Sequence, residues 1–213
     1  MYWTESKKML LNEGKSKIMI FNFTKNFQFS TRILMNEKLL EIIHETRILG
    51  TILSSDLKWH ENTQYLTHQR MTMLCKLYKF DVPQEDLLLI YCQYIRSILE
   101  YNSNVWFSAI SEEEKEDIER VQRIACRIIL KEQYTDYEQA LDILNLQSLS
   151  DRRTMLAERF ARKCQKSEKF SNLFPKNLPT TSRNPEEFDV KFAKKGRLFK
   201  SAIPAMQRLL NNK

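Results

Sequence analysis

Glycine is scarce in this chain, with three in 213 residues, and proline numbers only five. So few turn-formers exclude a sandwich of many short strands, and they leave no glycine-rich loop whose backbone amides could cradle a phosphate. The histidines His44, His60 and His68 form no HExxH pair, and no cysteine lies near them at zinc-site spacing, so no metal site is expected. Cys75, Cys92, Cys126 and Cys164 make no CxxC pair and fall in helical stretches, which reads as buried, reduced thiols of an intracellular protein. No GxSxG nucleophile motif occurs. No two aspartates are adjacent, and a two-metal polymerase centre needs aspartates projecting together over its cations, so no catalytic residue is expected. An apolar run of about 18 residues, the length of a membrane span, is missing. The start, Met1 to Ser6, lacks the basic-then-apolar layout of a secretory signal and opens inside an amphipathic pattern, as a truncated chain would.

What is present is a globular composition, 42% hydrophobic and 29% charged, with a net charge of +7 and a pI near 9.2. Clustered Lys and Arg gain affinity for polyanions by releasing phosphate counterions. On charge alone, a nucleic-acid partner and a merely basic protein stand level.

The apolar pattern changes along the chain. In residues 1–58 a short helical piece ends near Leu11-Asn12, and β-forming segments follow at Lys17 to Phe23, Thr31 to Leu34, Lys38 to Ile43 and Arg47 to Leu53. Asn36-Glu37 is a turn candidate, and Gly50 suggests a bulge or a close backbone approach. From Trp59 the spacing becomes helical. His60 to Phe80 forms one helix, and Asp81 caps the next, with Pro83 in its first turn. That second helix is expected to bury Leu87, Tyr91, Tyr94, Ile95 and Ile98 and to break near Asn102-Ser103-Asn104. Ser111 with Glu114 is a capping box for a helix whose apolar face is Ile118, Val121, Ile124, Ala125, Ile128 and Ile129. Asp136 with Gln139, and Ser148 with Asp151, open two more helices. Pro175, Pro179 and Pro185 mark a linker before a basic end containing Lys194, Lys195, Arg197 and Lys200. The expected fold is therefore mainly α with a small N-terminal antiparallel β region, an α+β arrangement with a helical bundle after the sheet. Its parts are 1–58, 59–168 and 169–213.

Glu112, Glu113, Glu114, Glu116 and Asp117 sit at a helix start, where carboxylates complement the dipole, and this outweighs a metal-binding reading. Basic and aromatic residues interleave around the first long helix: Arg70, Lys76 and Lys79 with Trp59, Tyr65, Tyr78 and Phe80. Such a surface can follow a phosphate backbone while ring faces pack on sugars or bases. Spacing alone favours a plain amphipathic helix with a solvated basic face.

The order of the motifs carries a resemblance. Leu11-Asn12 with Lys15-Ser16-Lys17, Ile48-Leu49-Gly50, Leu57-Lys58-Trp59, Leu99-Glu100-Tyr101 with Val105-Trp106, Glu119-Arg120-Val121-Gln122 and Leu149 through Arg152-Arg153 follow one another. Together they resemble the palm end, primer-grip hairpin, thumb and post-thumb region of non-LTR retrotransposon reverse transcriptases, closest to jockey- and CR1-like elements, across roughly residues 8 to 175. The resemblance implies a non-catalytic C-terminal part of an RNA-directed DNA polymerase. The resemblance gives Lys15, Lys17 and the Gly50 turn a role in nucleic-acid binding: the hairpin around Gly50 would hold a primer end, and the helices after Trp59 would grip a primer–template duplex. The implied partners are nucleic acid and the polymerase domains that would precede Met1, with no membrane. Intact family enzymes use Mg2+ held by aspartates that would also precede Met1, so no cofactor is expected in this chain. The competing expectation is a helical interaction module, or a relic that associates with itself through uncovered apolar faces.

Overall fold

The computed structural model describes residues 6–8, 11–24, 32–80, 82–177, 187–194 and 196–212. The chain divides into two compact units, 1–62 and 63–213. The boundary lies in the first turn of the helix His60–Leu77.

Unit 1–62 holds the six strands found among the described residues, and they pair two by two. Strand β1 (Lys17–Met19) runs parallel to β4 (Glu41–Ile43), β2 (Leu34–Met35) antiparallel to β3 (Lys38–Leu39), and β5 (Glu45–Ile48) antiparallel to β6 (Thr51–Ser54). The expected β region is therefore present, as separate ladders with one parallel pair among them. Both hairpins close through two residues of positive φ: Asn36 at 48° and Glu37 at 64°, then Leu49 at 47° and Gly50 at 86°. This mirror-image turn matches the right-handed twist of the flanking strands. Gly50 is thus a turn residue and not a bulge, because the ladder runs unbroken from Ile48↔Thr51 to Glu45↔Ser54. Before β1, the Lys15 N–H donates to Asn12 Oδ1 at 3.1 Å and fixes a single 3-10 turn at Glu13–Lys15. The helical piece expected before Leu11 and the strand start at Thr31 fall partly outside the described residues.

Unit 63–213 is helical. Helix α1 spans His60–Leu77. Helix α2 is composite: α-helical over Gln84–Ile90, π-helical over Tyr91–Arg96 and α-helical again over Ser97–Leu99. Its buried face is Leu87, Tyr91, Ile95 and Leu99, a constant stride of four. Four residues overshoot an α-helical turn by about 40°. The wider π segment falls short of a turn over the same stride, so the four side chains stay on one face. Tyr94, expected in the core, is 59% exposed for this reason, and Ile98 is only half-buried. Pro83 is the residue before the first turn of α2 rather than within it, and Asp81 lies outside the described residues. Asn102, at φ 51°, breaks the chain before the short helix α3 (Ser103–Trp106).

Helix α4 (Glu112–Leu130) carries the expected capping box, with Ser111 Oγ accepting from the Glu114 N–H at 3.2 Å and Glu114 Oε2 accepting from the Ser111 N–H at 2.7 Å. Its expected face is buried except for Ile124, which is half-buried. Asp136 caps α5 (Tyr137–Ile143) and Ser148 caps α6 (Leu149–Gln165). The basic end does not trail away as an extension. After α7 (Gly196–Phe199), helix α8 (Ala202–Asn211) lays Met206 and Leu210 into a core with Ala157, Ala161, Cys164, Phe174 and Phe188. Asn211 fixes the return. Its Oδ1 accepts from the Phe188 N–H at 2.9 Å and its Nδ2 donates to the Phe188 carbonyl at 3.0 Å. Pro179, Pro185 and Lys195 lie outside the described residues.

The four thiols are free, but only Cys126 and Cys164 are buried; Cys92 is half-buried and Cys75 exposed. A cysteine in a helical stretch is a core residue only where its face is, and Cys75 lies on the outer face of α1.

Candidate functional site

The residues expected to contact nucleic acid fall in two groups. In unit 1–62, Lys15 is exposed at the end of the 3-10 turn, and Gly50 sits in the β5–β6 turn. Lys17 faces Glu41 across the parallel ladder, and their ion pair spans 2.9 Å. Both side chains are largely exposed, so the pair adds little stability. It does place a carboxylate beside the ammonium that a phosphate would approach. Trp59 is buried, 8% exposed, so little of its ring is open for stacking on a base.

In unit 63–213, Lys76 and Lys79 are exposed around the C-terminal end of α1. The Lys79 N–H donates to the Lys76 carbonyl and the Phe80 N–H to the Leu77 carbonyl, each at 3.1 Å, which winds the chain into a turn. Tyr78 and Phe80 are each 65% exposed on this turn. Two cations and two open aromatic rings thus share five consecutive residues. The Arg70 side chain lies outside the described residues.

A second group of side chains, several of them in the motif segments quoted above, forms a buried polar network. Gln122, fully buried on α4, is its hub. Its Oε1 accepts from the Tyr91 hydroxyl, and its Nε2 donates to Tyr137 OH at 2.8 Å and to the Gln147 carbonyl at 2.9 Å. The Tyr137 hydroxyl donates in turn to Glu119. The Glu119 carboxylate also accepts the Leu149 N–H at 3.0 Å and the Ser150 N–H at 3.2 Å, so it caps α6 from another helix. Arg152 forks onto Glu100 through Nε and Nη2, the latter at 3.0 Å from Oε2. Trp106, fully buried, donates its indole N–H to the Tyr101 carbonyl at 3.0 Å.

The electrostatics follow from burial. Desolvation pushes the Tyr91 and Tyr137 hydroxyls well above the ordinary range, so both remain donors near neutrality. Burial also pushes the Cys126 thiol up to about 12, which makes it inert. Arg153 has its guanidinium carbon 5.8 Å from the Trp106 ring and 4.9 Å from the Phe107 ring. None of its three side-chain nitrogens has a hydrogen-bond partner, and burial lowers its pKa to about 10. Stacking against the two rings compensates part of that desolvation. With the hydroxyls and amides of this network committed to one another, it supplies rigidity and no free acid, base or nucleophile.

The sequence offered no direct sign of this network, because its partners are separated by 15 to 52 residues. The available signal was that Glu100, Glu119, Gln122 and Arg152 are polar groups set among apolar helical positions. Among the described residues, no group of three or more His, Cys, Asp or Glu side chains could hold a metal ion. No described helix is long and apolar enough to cross a membrane. Comparisons with protein-family models, curated proteins and solved structures find no match to this chain.

Proposed function

We propose that the chain is a non-catalytic C-terminal part of a retrotransposon-type RNA-directed DNA polymerase, binding duplex nucleic acid without sequence preference. The observation that supports this most is the meeting of the motif residues in space. Glu100 pairs with Arg152, Glu119 caps the helix that carries Arg152 and Arg153, and Arg153 stacks on Trp106. Segments that resemble the polymerase family in order thus hold one another together as a single scaffold. In unit 63–213, Lys76, Tyr78, Lys79 and Phe80 would meet phosphates and sugars; in unit 1–62, the Gly50 hairpin would meet a strand end. The Mg2+ of intact enzymes has no fitting carboxylate group among the described residues, so no chemical step is assigned to this chain.

The test is fluorescence anisotropy with a 20-base-pair RNA–DNA hybrid and a DNA duplex between 50 and 200 mM salt. Binding should weaken steeply, with a log–log slope of about −0.9 per phosphate neutralised on B-form DNA. A flat salt response, or no binding at low salt, contradicts the reading.

A second reading, a protein-interaction module, is favoured by the apolar side chains that unit 1–62 leaves exposed. Leu34, Leu39, Ile48 and Leu49 are between 50% and 82% exposed, beside ladders of only two strands. It expects self-association in light scattering, and a monodisperse monomer counts against it.

A further inference from the structure

We propose that the cleft where α3, α6 and α8 meet is a binding site for a small organic anion with an apolar body and a hydroxyl or amine donor. The cleft encloses about 290 Å³, close to the lower end of small-molecule sites. Phe107 and Met206 are among its apolar lining, and Asn104, Ser108, Lys115 and Arg208 among its polar lining.

Three of those polar residues carry buried atoms without a partner: Asn104 Oδ1, Ser108 Oγ and Arg208 Nη1. Buried polar atoms are almost always paired, so three among the residues that line one cleft point to something that pairs them. Arg208 is held in place, since its Nη2 donates to the Phe199 carbonyl at 2.6 Å and its guanidinium stacks 3.7 Å from the Phe199 ring. Its Nη1 is therefore a preset donor. Lys115 lies 5.5 Å from the Phe107 ring centre, and its ion partner Glu112 is far more exposed than it is. Among the described residues no acidic side chain lines the cleft, and Arg153 adds a further unpaired cation on Phe107. The field therefore favours an anion. Arg208 and Ser108 suit its acceptor oxygens, Asn104 Oδ1 suits a hydroxyl or amine donor, and the Phe107–Met206 wall suits a ring or short aliphatic body.

The test uses the full chain with ¹³C-methyl-labelled methionine and three para-hydroxy probes of similar size: 4-hydroxybenzoate, 4-hydroxybenzyl alcohol and 4-hydroxybenzylamine. The anion should shift the Met206 methyl signal saturably, while the neutral and cationic probes bind at least about tenfold more weakly, the usual contribution of a charge-assisted hydrogen bond. Arg208→Met should weaken the anion by a similar factor. Should that variant fold poorly, Lys115→Gln and Ser108→Ala carry the test, each lowering affinity while leaving the ligand-free spectrum intact. No shift with 4-hydroxybenzoate means the cleft holds water only and overturns the proposal. Equal binding of the three probes, or unchanged affinity in both substitute variants, also overturns it.

Discussion

The two units spend their apolar residues in opposite ways. In 63–213, Tyr91, Ile95, Leu99, Trp106, Ile118 and Leu149 are at most 1% exposed, and Tyr91, Gln122, Tyr137 and Glu119 form hydrogen bonds that link four helices. In 1–62, Leu40 and Trp59 are the buried apolar side chains among the described residues, while Leu11, Phe21, Phe23, Ile33, Leu34, Leu39, Ile42, Ile48 and Leu49 are exposed. A ladder of two strands has one pairing interface and two open edges, so it cannot close a core by itself. Stability in this chain is therefore expected to reside in the helical unit, with the strand unit opening at lower cost.

Substitutions sharpen that contrast, and the largest effect belongs to Trp106. Trp106→Ala should remove about 4 kcal/mol from the main urea transition, as truncation of a fully buried aromatic does. Leu49→Ala, at the 82% exposed hairpin tip, should stay within about 0.5 kcal/mol. Next comes Gln122→Leu, which strands the Tyr91 hydroxyl and the Gln147 carbonyl without partners. A loss of about 2 kcal/mol is expected in the same transition, and a neutral result would show that the network adds no stability.

In the other unit, Gly50→Ala places a Cβ at φ 86° and should cost about 1 kcal/mol. Hydrogen exchange should report that loss in β5–β6 amides only, leaving α4 unchanged. A loss shared by both would mean that the two units open together.

The smallest effect is that of acid. Hydrogen bonds from Lys115 and Arg123 hold the Glu112 and Glu116 carboxyls below their usual 4.5. Asp56 is pushed up by partial burial, but hydrogen bonds from the Lys58 N–H and the Ser54 hydroxyl bring it below 3.8. Depressed carboxyl values stabilise the fold above about pH 4.5, and that contribution fades as pH falls through the folded-state values. The urea midpoint should be flat from pH 7 to 5 and fall gently below that, because all three groups are largely solvent-screened. A rise in the midpoint on acidification contradicts this assignment.

Local chemistry was legible in the sequence, and distant chemistry was not. Ser111 with Glu114, Asp136 with Gln139 and Ser148 with Asp151 each marked a helix start, because a cap is made by residues three apart. The placement of Tyr94 failed because a stride of four became continuous only through a π segment, which no apolar pattern announces. The hub at Gln122 and the docking of α8 were invisible for a different reason: their partners lie 15 to 34 residues away along the chain. Of the expected contact residues, Lys76 and Lys79 came together with open aromatic rings, whereas Trp59 went inside. An amphipathic pattern records which face is apolar and not which aromatic remains outside.

The most direct test of the proposed duplex binding is hydrogen exchange of the full chain with and without a 20-base-pair RNA–DNA hybrid at low salt. Added protection is expected at the turn after α1, around Lys76 to Phe80, and at the Gly50 hairpin. Protection absent from both, or confined to α7 and α8, would contradict the account.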